Sequence, residues 1–174
     1  MTDRVRCHTP VVTIPGLREW VSLAVPRTGR TVRLTPESRA LPSETADAVV
    51  LDRVLPLVER PEELFDEVRR ILRPAGSLVV VVPSPGRSPA ELRDGVRRRD
   101  LLAGWPCRTA VEHPAWLLAA ADFALLGDTR AVFRVPDPDP ADLVAVAAWP
   151  TTGIRPRRSA RPLPVGFRRL VARR

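Results

Sequence analysis

The chain has 174 residues, 44% hydrophobic and 28% charged, with a net charge of +8; that length suits one domain able to bury about 70% of its extended-chain surface, and the apolar share excludes wholesale disorder. No stretch approaches the roughly 20 apolar residues that span a bilayer. The opening Met-Thr-Asp-Arg lacks the charged-then-apolar layout of a signal peptide, so a cytoplasmic location is expected.

In chain order, Val11-Val12-Thr13-Ile14 is a short β-branched run stopped by Pro15-Gly16. Apolar residues at 17, 20, 21, 24 and 25 then have helical spacing, and Pro26 and Gly29 end that helix. Thr31–Leu34 reads as another strand, Leu41–Glu44 as a turn and Ala48–Leu51 as a buried strand. The next helix is the best defined. Pro61 suits its first turn, where a missing N–H costs nothing, and Glu62 and Glu63 follow at the positive end of the dipole. Leu64, Phe65, Val68, Ile71 and Leu72 form its apolar stripe, and Asp66 can pair with Arg70 one turn on. Pro74-Ala75-Gly76 stops it. Ser77–Val82 is continuously apolar, as a strand buried on both faces of a parallel sheet should be. Strand, helix and strand together make a βαβ unit.

Beyond Pro83 the pattern predicts an arginine-rich helix over 88–102 and a more apolar helix over 114–121. Strands follow over 123–126 and 131–135, joined at Gly127-Asp128, and then a stiff turn at Pro136–Pro140. Residues 142–148 form a short helix or strand, 150–164 a Pro/Arg-rich loop and 167–172 a closing strand. Two segments result: an α/β domain over 1–150, and a basic segment over 151–174 that ends in a closing strand of the same domain.

Lys, Asn, Gln and Tyr are absent, the mark of a GC-rich coding sequence, so the abundance of Arg over Lys says little about recognition. Charge placement says more. Residues 1–150 hold twenty Arg and twenty acidic residues, so the whole excess lies in the eight arginines of 151–174. Such a patch can hold RNA or another anion, or be a solvated basic tail. Cys7, Cys107, His8 and His113 match no zinc spacing, and no metal is expected. Arg97-Arg98-Arg99 reads as a solvated helix face, His113 as a loop residue, and Trp20, Trp105, Trp116 and Trp149 as core or pocket wall. There is no nucleophile elbow, Walker loop or paired-carboxylate pattern, and no catalytic residue can be named.

Ala46-Asp47-Ala48-Val49-Val50-Leu51-Asp52-Arg53-Val54-Leu55 resembles the fourth strand and following turn of class I S-adenosylmethionine-dependent methyltransferases, of the methyltransferase type 11 kind. Ala40-Leu41-Pro42 is similar to the turn before that strand, and Leu72-Arg73-Pro74-Ala75-Gly76 to the L-R-P-G-G turn between the family's next helix and strand. Residues 123–135 and 167–174 resemble its last two antiparallel strands. The resemblance implies an open Rossmann-like α/β sheet with helices on both faces, S-adenosylmethionine as cofactor and methyl transfer to a small molecule or RNA. It also implies ligand-facing positions at 51–53 and 83–86, beyond the carboxyl ends of the strands.

The front end is too short for the family's three strands and two helices, so one strand-helix unit is expected to be missing. Two alignments fit. In the first, Val11–Ile14 is strand one and Thr31–Leu34 strand two, with Leu34-Thr35-Pro36-Glu37 resembling the L-[ST]-P-E after the ribose-binding acid. In the second, strand one is missing and Glu37 takes the place of the acid near the adenine. The first deletes only an edge strand, whereas the second removes the sheet's centre. The candidate cofactor positions are Pro15, Gly16, Arg33, Glu37, Leu51, Asp52 and Arg53. Gly16 is the sole glycine of the first alignment's turn, and Arg33 stands at its ribose acid; in the second, Pro15 stands there. Losing a carboxylate's two hydrogen bonds costs about 3–6 kcal/mol, at roughly 1.5–3 each. Three functions follow: a methyltransferase with atypical cofactor contacts, a non-catalytic methyltransferase-like subunit that docks a protein on an exposed sheet edge, or an RNA-binding accessory protein.

Overall fold

The computed structural model describes residues 14–35, 41–84, 105–135 and 163–174. Its centre is a five-stranded sheet in the order β1-β2-β3-β5-β4, formed by β1 (Thr31–Leu34), β2 (Ala46–Asp52), β3 (Leu72–Pro83), β4 (Ala124–Val135) and β5 (Leu163–Arg173). The first three strands run parallel, while β5 lies antiparallel between β3 and β4. This is an open Rossmann-like α/β sheet. Val49–Leu51 and Leu78–Val82 are fully buried, as their unbroken apolar runs require of strands covered on both faces.

Alternation divides those strands between two cores. Val49, Leu51, Leu78, Val80 and Val82 pack with α2 (Pro61–Ile71) through Phe65, Val68 and Ile71. Ala110 of α3 (Thr109–Glu112) and Leu118 of α4 (Pro114–Ala120) complete that layer. Val50, Val79 and Val81 face the other way, under Ile14 and the Leu17 and Val21 of α1 (Leu17–Ser22). Helices thus cover both faces.

Local details refine the sequence reading. Regular helix in α1 stops at Ser22, and the chain tightens through Ala24 N–H to Val21 O and Val25 N–H to Ser22 O, three residues back. Arg70 reaches Glu67 at 2.6 Å and the Ser43 hydroxyl at 2.9 Å, correcting the Asp66–Arg70 pair. The side chain of Glu67 is simply nearer on the same turn. β3 starts at Leu72, but its register with β2 jumps from Ala46↔Leu72 to Ala48↔Ser77, so Arg73, Pro74 and Ala75 bulge outward. A Cβ on Gly76 would lie 2.8 Å from the Arg73 carbonyl oxygen, which explains the glycine that closes the bulge. The two strands expected over 123–135 are one, β4, bent by a bulge between Leu125 and Gly127. Trp116 is 63% exposed rather than core, whereas Trp105 is buried.

The alignment that makes Thr31–Leu34 the second strand needs another strand between it and β2. The structure instead pairs Thr31–Leu34 directly with Ala48–Leu51, which corrects that alignment and also the second, where Thr31–Leu34 would be the third strand with Val11–Ile14 between it and β2. Ile14 packs on the sheet's face, leaving β1 to satisfy the backbone edge of β2. Val11–Thr13, the helix expected over 88–102, the Pro136–Pro140 turn, residues 142–148 and most of the 150–164 loop lie outside the described residues.

Candidate functional site

In parallel pairing, partner residues share a face, so Arg33, opposite Val50, points to the same side as Asp52 two residues beyond. β1 and β2 thereby bring together three candidates that lie 19 and 20 positions apart in sequence. The Asp52 carboxylate takes Arg53 Nε at 3.1 Å on Oδ1 and stands 4.0 Å from Arg33 Nη1 through Oδ2. The side chains of Asp52 and Arg53 are 27% and 20% exposed, and that of Arg33 is 42% exposed. Asp52 and Arg53 are therefore half-buried parts of one charged cluster.

Arg53 adopts φ 60°, a left-handed conformation uncommon outside glycine. Its N–H donates to Val81 O at 2.9 Å, which anchors the turn to β3 just where β2 ends. Leu51 is fully buried with its side chain in the α2-side core, so only its backbone can face the strand ends. Pro83 is buried, and Ser84 N–H donates to Gly166 O at 2.9 Å. A Cβ on Gly166 would stand 2.6 Å from Ser84 O, so β5 seals the end of β3. Glu37, positions 85–86, Cys7, His8, Trp149 and Arg97-Arg98-Arg99 lie outside the described residues.

Pro15 and Gly16 are exposed at the head of α1, with Gly16 at φ 80° as its N-cap. The space beside Gly16 is bounded by the Phe133 ring, 3.7 Å from where a Cβ would be. Phe133 belongs to β4 and in turn packs on Trp20 and Phe167. This turn therefore closes an aromatic contact on the β4–β5 side of the sheet.

Sequence reasoning did not anticipate what the arginines of the basic C-terminus do. Arg168 grips Asp128 through two bonds of 2.8 and 2.5 Å, which holds the Asp128 carboxyl below the usual range. The Arg169 guanidinium lies 4.5 Å from the centroid of the Trp20 ring and donates to the Trp20 carbonyl. Burial pulls its pKa down. Arg174 donates to Leu72 O at 2.5 Å. Nothing in the local sequence marks these partners, since each pairing spans between 40 and 149 positions. Burial raises the Cys107 thiol, which sits in the α2-side core. Among the described residues no group of three or more His, Cys, Asp or Glu side chains could hold a metal, and no helix is long and apolar enough to cross a membrane. An open depression of about 490 Å³, lined by Val58, Glu59, Arg60, Glu63 and Leu64, lies at the start of α2 rather than at the strand ends.

A family model described as a methyltransferase domain matches residues 11–80. Comparison with curated proteins gave no match. Among solved structures, the chain is similar to a SAM-dependent methyltransferase from Thermotoga maritima, at 13% identity over 88% of this chain and 86% of that one, TM-score 0.49. It is also similar to an S-adenosylmethionine-dependent methyltransferase from Mesorhizobium loti, at 17% identity over 90% and 96%, TM-score 0.48. A third, from Methanosarcina mazei, shares 13% identity over 78% of this chain and 62% of that one, TM-score 0.46.

Proposed function

We propose that this chain, a relative of the class I S-adenosylmethionine-dependent methyltransferases, has lost the family's usual hold on S-adenosylmethionine and serves as a non-catalytic, methyltransferase-like subunit. The observation that carries the reading is the Arg33–Asp52–Arg53 cluster. A cofactor held in the family's manner needs a free carboxylate for its ribose hydroxyls and a glycine-rich turn against its backbone. Here neither Arg33 nor Pro15, which the two alignments set at the ribose acid, is a carboxylate, and Asp52, the nearby carboxylate at the end of β2, is already engaged by two guanidiniums. Arg33 brings a cation to the strand end, which repels a sulfonium. The one glycine of the α1 turn faces Phe133. Among the described residues, those at the strand ends do not fit the cofactor, and no methyl-transfer step is derived through it.

Methyl transfer to a small molecule or RNA would be the function if the cofactor were held by other contacts, since the reaction needs chiefly in-line positioning. Binding of RNA or another anion at the basic C-terminus has less support among the described residues, because there Arg168, Arg169 and Arg174 are committed to partners within the chain. Loss of about 3–6 kcal/mol weakens binding by roughly two to four powers of ten. Calorimetric titration of the purified protein with S-adenosylhomocysteine tests the reading. No saturable heat is expected up to millimolar ligand. Saturable binding at micromolar affinity would overturn the degenerate-site reading and restore methyl transfer as the leading function.

A further inference from the structure

Across the sheet from the strand-end cluster lies β4, twelve residues long. Among the described residues it pairs on one side only, with β5. A long open edge offers a row of backbone donors and acceptors, and soluble proteins usually blunt it with proline, short length or charge. β4 contains no proline. Leu125, Leu126 and Val132 along it are 43%, 55% and 70% exposed. These observations mark an interaction surface, and the charges on the strand identify what fits it.

Beyond the bulge, Asp128, Arg130 and Val132 alternate onto one face, while Phe133 lies on the other against Trp20 and Phe167. Asp128 is pinned on its face by Arg168, and Arg130 is exposed two residues away. Directly opposite residues of an antiparallel pair share a face, so the strand can be tested for pairing with itself. A two-fold axis through Thr129 sets Asp128 opposite the partner's Arg130, Arg130 opposite the partner's Asp128, and Val132 opposite Leu126 in the partner's bulge. An axis through Asp128 or Arg130 sets like charge on like. One through Ala131 keeps an Asp128–Arg134 pair but places Arg130 against Val132. Only the Thr129 axis satisfies both charges and the exposed apolar side chains. Self-complementarity of this kind is what an isologous interface requires.

We propose that β4 is the interface of a homodimer, in which two copies join edge to edge, antiparallel about a two-fold axis at Thr129, into one continuous sheet. This deepens the subunit reading, on which it rests for a purpose but not for its geometry. Cofactor titration and dimerisation are separate measurements, so either can fail alone.

Sedimentation equilibrium of the full chain over a micromolar concentration series tests it. A mass approaching twice the 19.2 kDa protomer is expected. Arg130→Asp, which sets a carboxylate against Asp128 at both ends of the axis, should weaken self-association at least about tenfold, the equivalent of about 1.4 kcal/mol. Val132→Lys, at the 70% exposed position, should do likewise while leaving the fold intact. The register has its own readout. Under mild oxidation Thr129→Cys should cross-link to its symmetry mate, because opposed Cβ atoms lie roughly 4.5–5.5 Å apart, whereas Ala131→Cys, opposite the partner's Gly127, should not. A strictly monomeric chain would overturn the proposal. So would a dimer that neither Arg130→Asp nor Val132→Lys weakens, or equal cross-linking of the two cysteine variants.

Discussion

Replacing Asp52 with Asn separates a structural carboxylate from one kept for chemistry. The substitution preserves shape and removes the charge that Arg53 meets at 3.1 Å and Arg33 at 4.0 Å. A hydrogen bond to a charged partner contributes about 1.5–3 kcal/mol when shielded. With Asp52 about a quarter exposed, solvent screening reduces the Arg53 bond to about 1–1.5 kcal/mol, and the longer contact to exposed Arg33 adds about 0–0.5. The sum, about 1–2 kcal/mol, corresponds to a drop in Tm of roughly 2–8 °C for a domain of this size. Thermal unfolding followed by circular dichroism, with Arg33→Ala as a control expected to cost less than about 0.5 kcal/mol, measures it. A carboxylate retained for function commonly sits at some cost to stability, so its removal is neutral or stabilising. An unchanged or raised Tm for Asp52→Asn would therefore refute the ion-pair account and point back to a working site.

Gly76→Ala should destabilise by about 1–3 kcal/mol, since the new methyl meets the Arg73 carbonyl at 2.8 Å and Leu72 Cδ2 at 2.9 Å, and backbone cannot yield cheaply; a neutral urea-unfolding midpoint would show that the bulge relaxes. Asp128→Asn should cost about 1 kcal/mol at neutral pH, because the Arg168 contact is only partly exposed. The Asp128 carboxyl is depressed in the folded state by its hydrogen bonds from Arg168, so its contribution is complete above the unfolded value of about 3.9. It fades as pH falls through the lower, folded value. The gap between wild type and variant should be flat from neutrality to weak acid and then close in stronger acid; a gap that widens below about pH 4 would reverse the assigned shift.

Much of the α/β frame was legible because it is local. Pro61, the Glu62-Glu63 pair and the 65–68–71 stripe define α2 within one helix length. The runs at 48–51 and 78–82 announce strands buried on both faces, whatever lies beside them. The resemblance over 40–83 followed from the same compact stretch, and the matched domain model covers most of it. The site was less legible. Arg33, Asp52 and Arg53 were named singly, yet nothing in a linear chain says that a guanidinium and a carboxylate 19 positions apart will share a strand end.

What the sequence determined by itself was therefore the identity and burial of the βαβ unit, because periodicity and capping act over a few residues. Only the tertiary structure decided that Thr31–Leu34 pairs with β2 while Ile14 packs on the sheet's face. It also decided that β5 lies between β3 and β4, and that the arginines of this strand reach Asp128 and the carbonyl and ring of Trp20. Strand neighbours are set by which backbone edges and apolar faces remain to be satisfied once the whole chain has collapsed. That competition is global, and no short window of sequence contains it.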